Sequence, residues 1–334
     1  MTHRLTRRRV LALASGASVL VACPAMAQAK PKVAALFAGQ IDDRGFMEAG
    51  FRGLTAAKDK TGADVVWKDK VAPQRDLLVA ALRELAQGRP DLVIAHGGQN
   101  NEAATIVAAE FPSIKFVVTQ GNVTGVNLAS YEVLQEESAF LAGAFAAWTT
   151  GTGTVGHMSG IRVVPGLKGR AAYAHGVAHA NPAVKLLTNF SGNQDDNALS
   201  KRVATAMIDA GADVIFTMLN AGRTGAIEAC RERGIKQIGN VRDWTTAMPD
   251  VFIASAIADS GVAVQKGVED FAAGRLKPGV VDRIGLARSD AVRLALAPEV
   301  PAAIRQQVEA LAEQIKSGAV AVPTDWSGPE FANP

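Results

Sequence analysis

From Lys32 onward the chain repeats one unit: a short apolar or β-branched run, a turn rich in Gly, Asp or Asn, then a stretch whose apolar residues recur at spacings of three and four. The pattern predicts strands over 32–37, 63–67, 92–95, 115–119 and 125–129, interleaved with helices over 46–60, 73–87, 101–110 and 135–148. It then starts again, with strands over 154–158, 184–190, 214–218 and 236–239 between helices over 164–181, 198–210 and 222–233. Strands that alternate with helices in this way pair in parallel and carry helices on both faces. Two similar α/β halves, each a doubly wound sheet, are therefore expected to meet near residues 149–153. A late strand over 252–256, a helix over 260–273 and a terminal helix over 302–316 must be shared between them.

With 334 residues, 48% of them apolar, the chain is long enough for two cores, and its two cysteines cannot support a disulfide-built domain. The net charge of +3 comes from the N-terminus, where Arg4, Arg7, Arg8 and Arg9 stand without an acid; the remainder has 31 basic and 32 acidic side chains. Nucleic acid is not an expected partner of so balanced a surface. Arg7-Arg8-Arg9 followed by an apolar stretch to Ala22 reads as an export signal over 1–27, of twin-arginine or ordinary secretory type, and places the mature protein in the periplasm. Cleavage after Ala25-Met26-Ala27 would release the chain, whereas Leu20-Val21-Ala22-Cys23 resembles a lipobox that would anchor it by a lipid on Cys23. Either way Cys230 is left without a disulfide partner, and no longer apolar run follows that would span a bilayer.

Ligands of doubly wound sheets sit beyond the carboxyl ends of the strands. Here those ends carry Gln40-Ile41-Asp42-Asp43, His96-Gly97-Gly98-Gln99-Asn100-Asn101, Gln120-Gly121-Asn122, Asn193-Gln194-Asp195-Asp196, Asn220-Ala221-Gly222-Arg223 and Asn240-Val241-Arg242-Asp243-Trp244. Any one of them serves as a turn or a helix cap. Six around two facing sheets point to a cleft for a small polar ligand with an apolar face. Motifs for chemistry are weak. Gly151-Thr152-Gly153-Thr154-Val155-Gly156 matches G-x-G-x-x-G but follows a helix and precedes a strand, the reverse of a dinucleotide site, so its glycines read as an interdomain joint. His175 and His179 share a helix face with no third ligand, and no nucleophile motif occurs. No catalytic residue, metal or cofactor is expected.

Ile41-Asp42-Asp43-Arg44-Gly45-Phe46, Glu136-Glu137-Ser138-Ala139-Phe140-Leu141-Ala142-Gly143-Ala144, Gly211-Ala212-Asp213-Val214-Ile215-Phe216 and Lys316-Ser317-Gly318 resemble the basic membrane protein family over residues 31–323. The resemblance implies a two-lobed periplasmic binding protein of type I with three crossovers, working as the substrate-binding component of an ABC importer related to purine nucleoside receptors. Lobe 1 is expected over 31–148 and 252–280, lobe 2 over 152–248 and 283–330. A permease with its ATPase would be the partner of a monomer; a sensor delivering the closed form to a signalling partner is the rival reading, and an extracytoplasmic α/β enzyme the more distant one. Phe46, Phe51, Phe216 and Trp244 are candidates for an aromatic sandwich, and Asp42, Asp43, Gln99, Asn100, Gln120 and Asn220 for reading polar edges. The chain also departs from the family pattern. Met47 stands where nucleoside-binding members carry Asn, Val241 where they carry a ribose-holding acid, and a lysine near Ser255 is absent, while Arg223, Arg242 and Trp244 are added. These departures imply a flat, carbonyl-rich or anionic ligand, such as a purine base or an oxidised purine, in preference to a nucleoside.

Overall fold

A computed structural model describes residues 30–334. The expected export signal, with Arg7, Arg8 and Cys23, lies outside the described residues. No helix among those described is long and apolar enough to cross a membrane.

The first series of elements is β1 (Lys32–Phe37), α1 (Phe46–Thr61), β2 (Asp64–Lys68), α2 (Arg75–Gln87), β3 (Leu92–His96), α3 (Asn101–Glu110), β4 (Lys115–Thr119) and β5 (Leu128–Val133). After α4 (Gln135–Thr149) the second runs β6 (Thr154–Ser159), α5 (Val164–Ala180), β7 (Lys185–Phe190), α6 (Asn197–Asp209), β8 (Val214–Met218), α7 (Arg223–Arg233), β9 (Lys236–Val241) and β10 (Phe252–Ala258). Then come α8 (Ser260–Ala272), β11 (Val281–Ile284), β12 (Val292–Leu296) and α9 (Ala302–Lys316). Two six-stranded sheets result, in the orders β11-β5-β4-β3-β1-β2 and β12-β10-β9-β8-β6-β7. The five-strand order is the same in both, so the duplication read from the sequence is a duplication of topology. Within each sheet the pairs are parallel, except that β12 runs antiparallel to β10.

The lobe boundaries differ from those expected. Helix α4, expected to close the first half, packs instead on α5 and against β10 and β12 of the second sheet. Eleven of its fifteen residues are buried, from Glu136 to Ala147. A helix that is apolar on nearly all sides needs cover on both faces, and the second lobe supplies a sheet on one and a helix on the other. The converse holds for β10 and α8. Strand β10, expected in lobe 1, pairs with β9 and β12 in lobe 2, while α8 returns to lobe 1 to pack on α1 and under β3, β4 and β5. Strand β11, which straddles the expected boundary, pairs with β5 in lobe 1. The chain thus crosses between the sheets at Leu134–Gln135, at Asp259 and between β11 and β12. The glycine-rich 151–156 segment is not a joint between lobes. It connects α4 to β6 within lobe 2, tied down by Asp213, whose carboxylate accepts from Thr150 Oγ1 (2.6 Å), Gly151 N (2.6 Å) and Thr152 N (2.9 Å).

Each exchanged helix touches its new neighbour through glycine. A Cβ placed on Gly143 of α4 would lie 2.1 Å from the Tyr173 carbonyl oxygen of α5, and one on Gly176 of α5 would lie 2.1 Å from the Phe140 oxygen. In lobe 1 the same pairing joins α1 and α8: a Cβ on Gly53 would meet Gly261 O at 2.1 Å, and one on Gly261 would meet Ala49 O at 2.3 Å. Gly176→Ala is therefore expected to push α4 off α5 and lower the unfolding free energy by about 3 kcal/mol. Gly151→Ala, whose Cβ would meet nothing closer than Asp213 Oδ2 at 3.5 Å, should change it by less than about 0.5 kcal/mol. Urea denaturation of the two variants against the parent protein checks the contrast.

Candidate functional site

The order 2-1-3-4-5 reverses between β1 and β3 in lobe 1 and between β6 and β8 in lobe 2, and a crevice opens beyond strand ends where the order reverses. The interlobe cavity lies there, with about 580 Å³ of empty space, open mouth included. Phe46 and Met47 enter it from the first turn of α1, and Gly98 and Gln99 from the turn after β3. Lobe 2 contributes Ser159 at the end of β6, the Gly160-Ile161 turn and the start of α5. It also supplies Gln194 after β7, Met218 and Asn220 at and after the end of β8, and Asn240-Val241 at the end of β9. Gln135, the first residue past the crossing, also lines it. The polar lining is five amides and one hydroxyl, with no charged side chain among the lining residues.

What holds these groups is built into the strand ends. Asp43 is buried and accepts from the backbone N–H groups of Gly45 (2.8 Å), Glu48 (3.0 Å) and Met47 (3.1 Å), which start α1. Burial pushes its carboxyl up, against the pull of those three donors. The Phe46 ring stacks on His96 at 4.3 Å between centroids, and His96 Nε2 lies 3.0 Å from Phe46 O. A carbonyl only accepts, so Nε2 carries the proton and Nδ1 accepts from Thr119 Oγ1 at 2.7 Å. In lobe 2, His157 bonds Thr188 Oγ1 (2.9 Å) and the cavity-lining Ser159 Oγ (3.2 Å). Burial pulls His96 down to about 4 and His157 down to about 3, so both imidazoles are neutral.

Val241 lines the cavity with φ of +69°, a region that a β-branched residue rarely adopts. The Arg242 N–H donates to Asn240 O at 2.8 Å across it, closing a three-residue turn of the strained hand. Charges gather at the rim and behind the wall. Arg242 faces Glu48 of lobe 1 at 3.6 Å. Arg223 is buried and donates to Leu219 O, to Asn240 Oδ1 (2.5 Å) and across the cleft to Arg44 O (3.5 Å). Lys168 of α5 pairs with Glu132 of lobe 1 and with Glu136 at 3.3 Å.

Of the residues singled out from the sequence, Phe46, Gln99 and Asn220 line the cavity, whereas Arg223 is buried behind Asn240 and Arg242 faces Glu48. The others go elsewhere. Asp42 is exposed and Asp43 caps α1. Asn100 is buried and spends its amide nitrogen on His96 O and Gly97 O, while Gln120 bonds both backbone groups of Val133. Phe51 packs on Phe37 and Trp67 at the outer edge of lobe 1, and Phe216 stacks on Tyr173 in the core of lobe 2. Trp244 lies on Phe252, its indole N–H given to Asn240 O at 3.1 Å, so the expected four-ring sandwich reduces to Phe46. Sequence reasoning missed Ile161, Val163, Pro165 and Met218 as an apolar wall, because such residues after a strand read as core. It also passed over Ser159 and Gln135.

A family model described as ABC transporter substrate-binding protein, PnrA-like, matches residues 30–325. The chain is 24% identical over 248 residues to the transcriptional activator protein med of Bacillus subtilis (74% of this chain, 77% of that protein). It is 28% identical over 242 residues to basic membrane protein A of Borreliella burgdorferi, covering 70% of each. A purine-binding protein of Brucella abortus is 24% identical over 255 residues, covering 75% of this chain and 71% of that protein. Among solved structures, an ABC transporter solute-binding protein from Aeropyrum pernix superposes with a TM-score of 0.78 at 24% identity, covering 88% of this chain and 94% of that one. A myo-inositol-binding protein from Caulobacter does so with a TM-score of 0.64 at 16% identity, covering 84% and 97%. These likenesses establish the type I periplasmic binding protein fold.

The two buried histidines make stability depend on pH. Their folded pKa values lie below the ordinary 6.5, so the unfolded chain binds more protons below that value. The stabilisation is full above about pH 6.5 and is lost as pH falls toward 4 for His96 and toward 3 for His157. Between pH 7 and pH 5 each should cost about 2 kcal/mol. Urea unfolding at the two pH values should show that drop, and His157→Gln should shrink it by about half; an equal drop in the variant would contradict the assignment.

Proposed function

The chain belongs to the Bmp family of PnrA-like ABC transporter substrate-binding proteins, and from that premise we propose that it captures a flat, uncharged heterocycle of the purine-base class between its lobes for delivery to a membrane permease. The family is extracytoplasmic, and its members are solute-binding proteins rather than enzymes. The observation that carries the ligand reading is the lining itself. One aromatic ring, Phe46, an apolar set from Ile161 to Met218 and five amides line the same cavity. Stacking on such a ring adds about 0.5–1.5 kcal/mol beyond area burial. Amides give and accept hydrogen bonds in alternation, as the edge of a lactam heterocycle does. The purine-binding relative from Brucella abortus supports the same class.

An anionic ligand, weighed from the sequence because of Arg223 and Arg242, is disfavoured here. Arg242 faces Glu48 and Arg223 is enclosed behind Asn240, so neither charge lines the cavity. Val241 and Met47 both do line it, and neither is able to hold a pair of ribose hydroxyls. A sensing role is the second reading, favoured by the likeness to a transcriptional activator protein of Bacillus subtilis. Loss of uptake of the bound heterocycle in a deletion strain supports import, whereas unchanged uptake with an altered transcriptional response supports sensing.

Free purine bases are expected to bind at least about tenfold more tightly than their nucleosides, a gap of about 1.4 kcal/mol. A thermal-shift screen over bases, nucleosides and aromatic acids followed by titration calorimetry tests this, since a ligand at 100 times its Kd adds about 2.7 kcal/mol. Phe46→Ala should weaken the preferred base at least about tenfold. Nucleosides binding more tightly than bases, or full affinity in Phe46→Ala, would overturn the reading.

A further inference from the structure

Asn240 is the lining amide whose orientation the protein decides. Its side-chain oxygen accepts from Arg223 Nη2 at 2.5 Å, and the same guanidinium nitrogen donates to Leu219 O. A guanidinium has five donors and no acceptor, so the amide oxygen faces Arg223 and the amide nitrogen faces away. The usual ambiguity between the two ends of an amide does not arise here. The backbone is pinned as well, since Asn240 O accepts from Trp244 Nε1 at 3.1 Å and from Arg242 N at 2.8 Å. Arg223 is itself enclosed, 3% exposed and 4.6 Å above the Trp244 ring. By contrast the side-chain amides of Gln99, Gln135, Gln194 and Asn220 have no hydrogen-bond partner among the described residues, and each is free to turn either end to a ligand.

We infer that Asn240 is a fixed hydrogen-bond donor in the cleft, held so by Arg223 as a positioning residue, and that the cleft therefore selects ligands presenting a lactam carbonyl there over those presenting an amino group. The inference rests on the heterocycle reading above and sharpens it from purine-type bases to oxo-substituted ones. An amino group placed against the Asn240 nitrogen would set donor against donor and leave both unpaired at a half-buried wall, which is the costly case. Arg223 and Trp244 thus bear on specificity without touching the ligand.

The test compares Kd values for a 6-oxopurine (hypoxanthine) and a 6-aminopurine (adenine) by titration calorimetry. The parent protein should favour the oxo base at least about tenfold. Arg223→Met, which removes the donor that orients the amide, should bring the ratio within about threefold of unity, and Arg223→Lys, which keeps a donor, should retain most of the preference. Asn240→Asp keeps a partner for Arg223 and so should fold even where Arg223→Met does not. It replaces the donor with an acceptor, and should weaken the oxo base at least about tenfold while sparing or improving the amino base. A parent protein that binds adenine as tightly as hypoxanthine, or an unchanged ratio in Asn240→Asp, would overturn the role of Asn240 while leaving the heterocycle reading intact. Failure of both bases to bind the parent protein would remove that reading and this inference together.

Discussion

Helix α4 follows a strand of lobe 1 and lies on lobe 2, and α8 follows a strand of lobe 2 and lies on lobe 1. Both are held by backbone meeting backbone at glycine, Gly143 and Gly176 in one lobe and Gly53 and Gly261 in the other. A contact of that kind leaves no side chain to rearrange, so the depth at which each exchanged helix sits is fixed by main-chain geometry. The crossings at Leu134–Gln135, at Asp259 and between β11 and β12 are the segments that join the lobes. Gln135 is both the residue beyond a crossing and part of the cavity lining, so the connection between the lobes and the cavity wall are one stretch of chain.

A neutral cavity follows from how the neighbouring charges are spent. Asp43 is consumed by three N–H groups, Arg223 by two carbonyls and an amide, Arg242 by Glu48, and Lys168 by two glutamates. The two buried histidines are neutral because burial makes protonation expensive. The lining is left with neutral amides and one hydroxyl, groups whose hydrogen bonds are worth about 0.5–1.5 kcal/mol each and discriminate by the pattern of donors and acceptors rather than by charge.

The alternation of elements was legible because short apolar runs and helical spacing differ in period. The exchange of helices was not. Gln135–Thr149 is apolar around most of its circumference, and a helix of that kind reads the same whichever sheet covers it. Val281–Ile284 and Val292–Leu296 mix charge with apolar residues in runs too short for a period to show. At the site, the sequence marks every strand end as polar but not where the polar groups point. Asp43, Asn100 and Gln120 have the composition of ligand contacts and are used up by backbone, as caps and loop staples. Trp244 has the composition of a stacking ring and instead holds a carbonyl. Val241 was visible as a departure in type, whereas its positive φ is a property of the turn and not of the residue.

Closure of the two lobes buries charge as well as ligand. Lys168 meets Glu132 of lobe 1 with that glutamate's side chain 4% exposed, and Arg223 reaches Arg44 O from the other lobe. Separating the lobes would return these groups to water, and the desolvation they are spared is comparable to the attraction they lose. Arg242 and Glu48, at 3.6 Å and about a third exposed, contribute little more in solvent. The interlobe ion pairs therefore register the two lobes without committing them to the closed form. On the function proposed above, that leaves the balance to differential contact by a ligand with the two sides of the cavity, lined by Phe46 and Gln99 from one lobe and by Ser159, Asn220 and Asn240 from the other. A cleft held shut by its own charges would close without cargo; one whose charges nearly cancel closes on it.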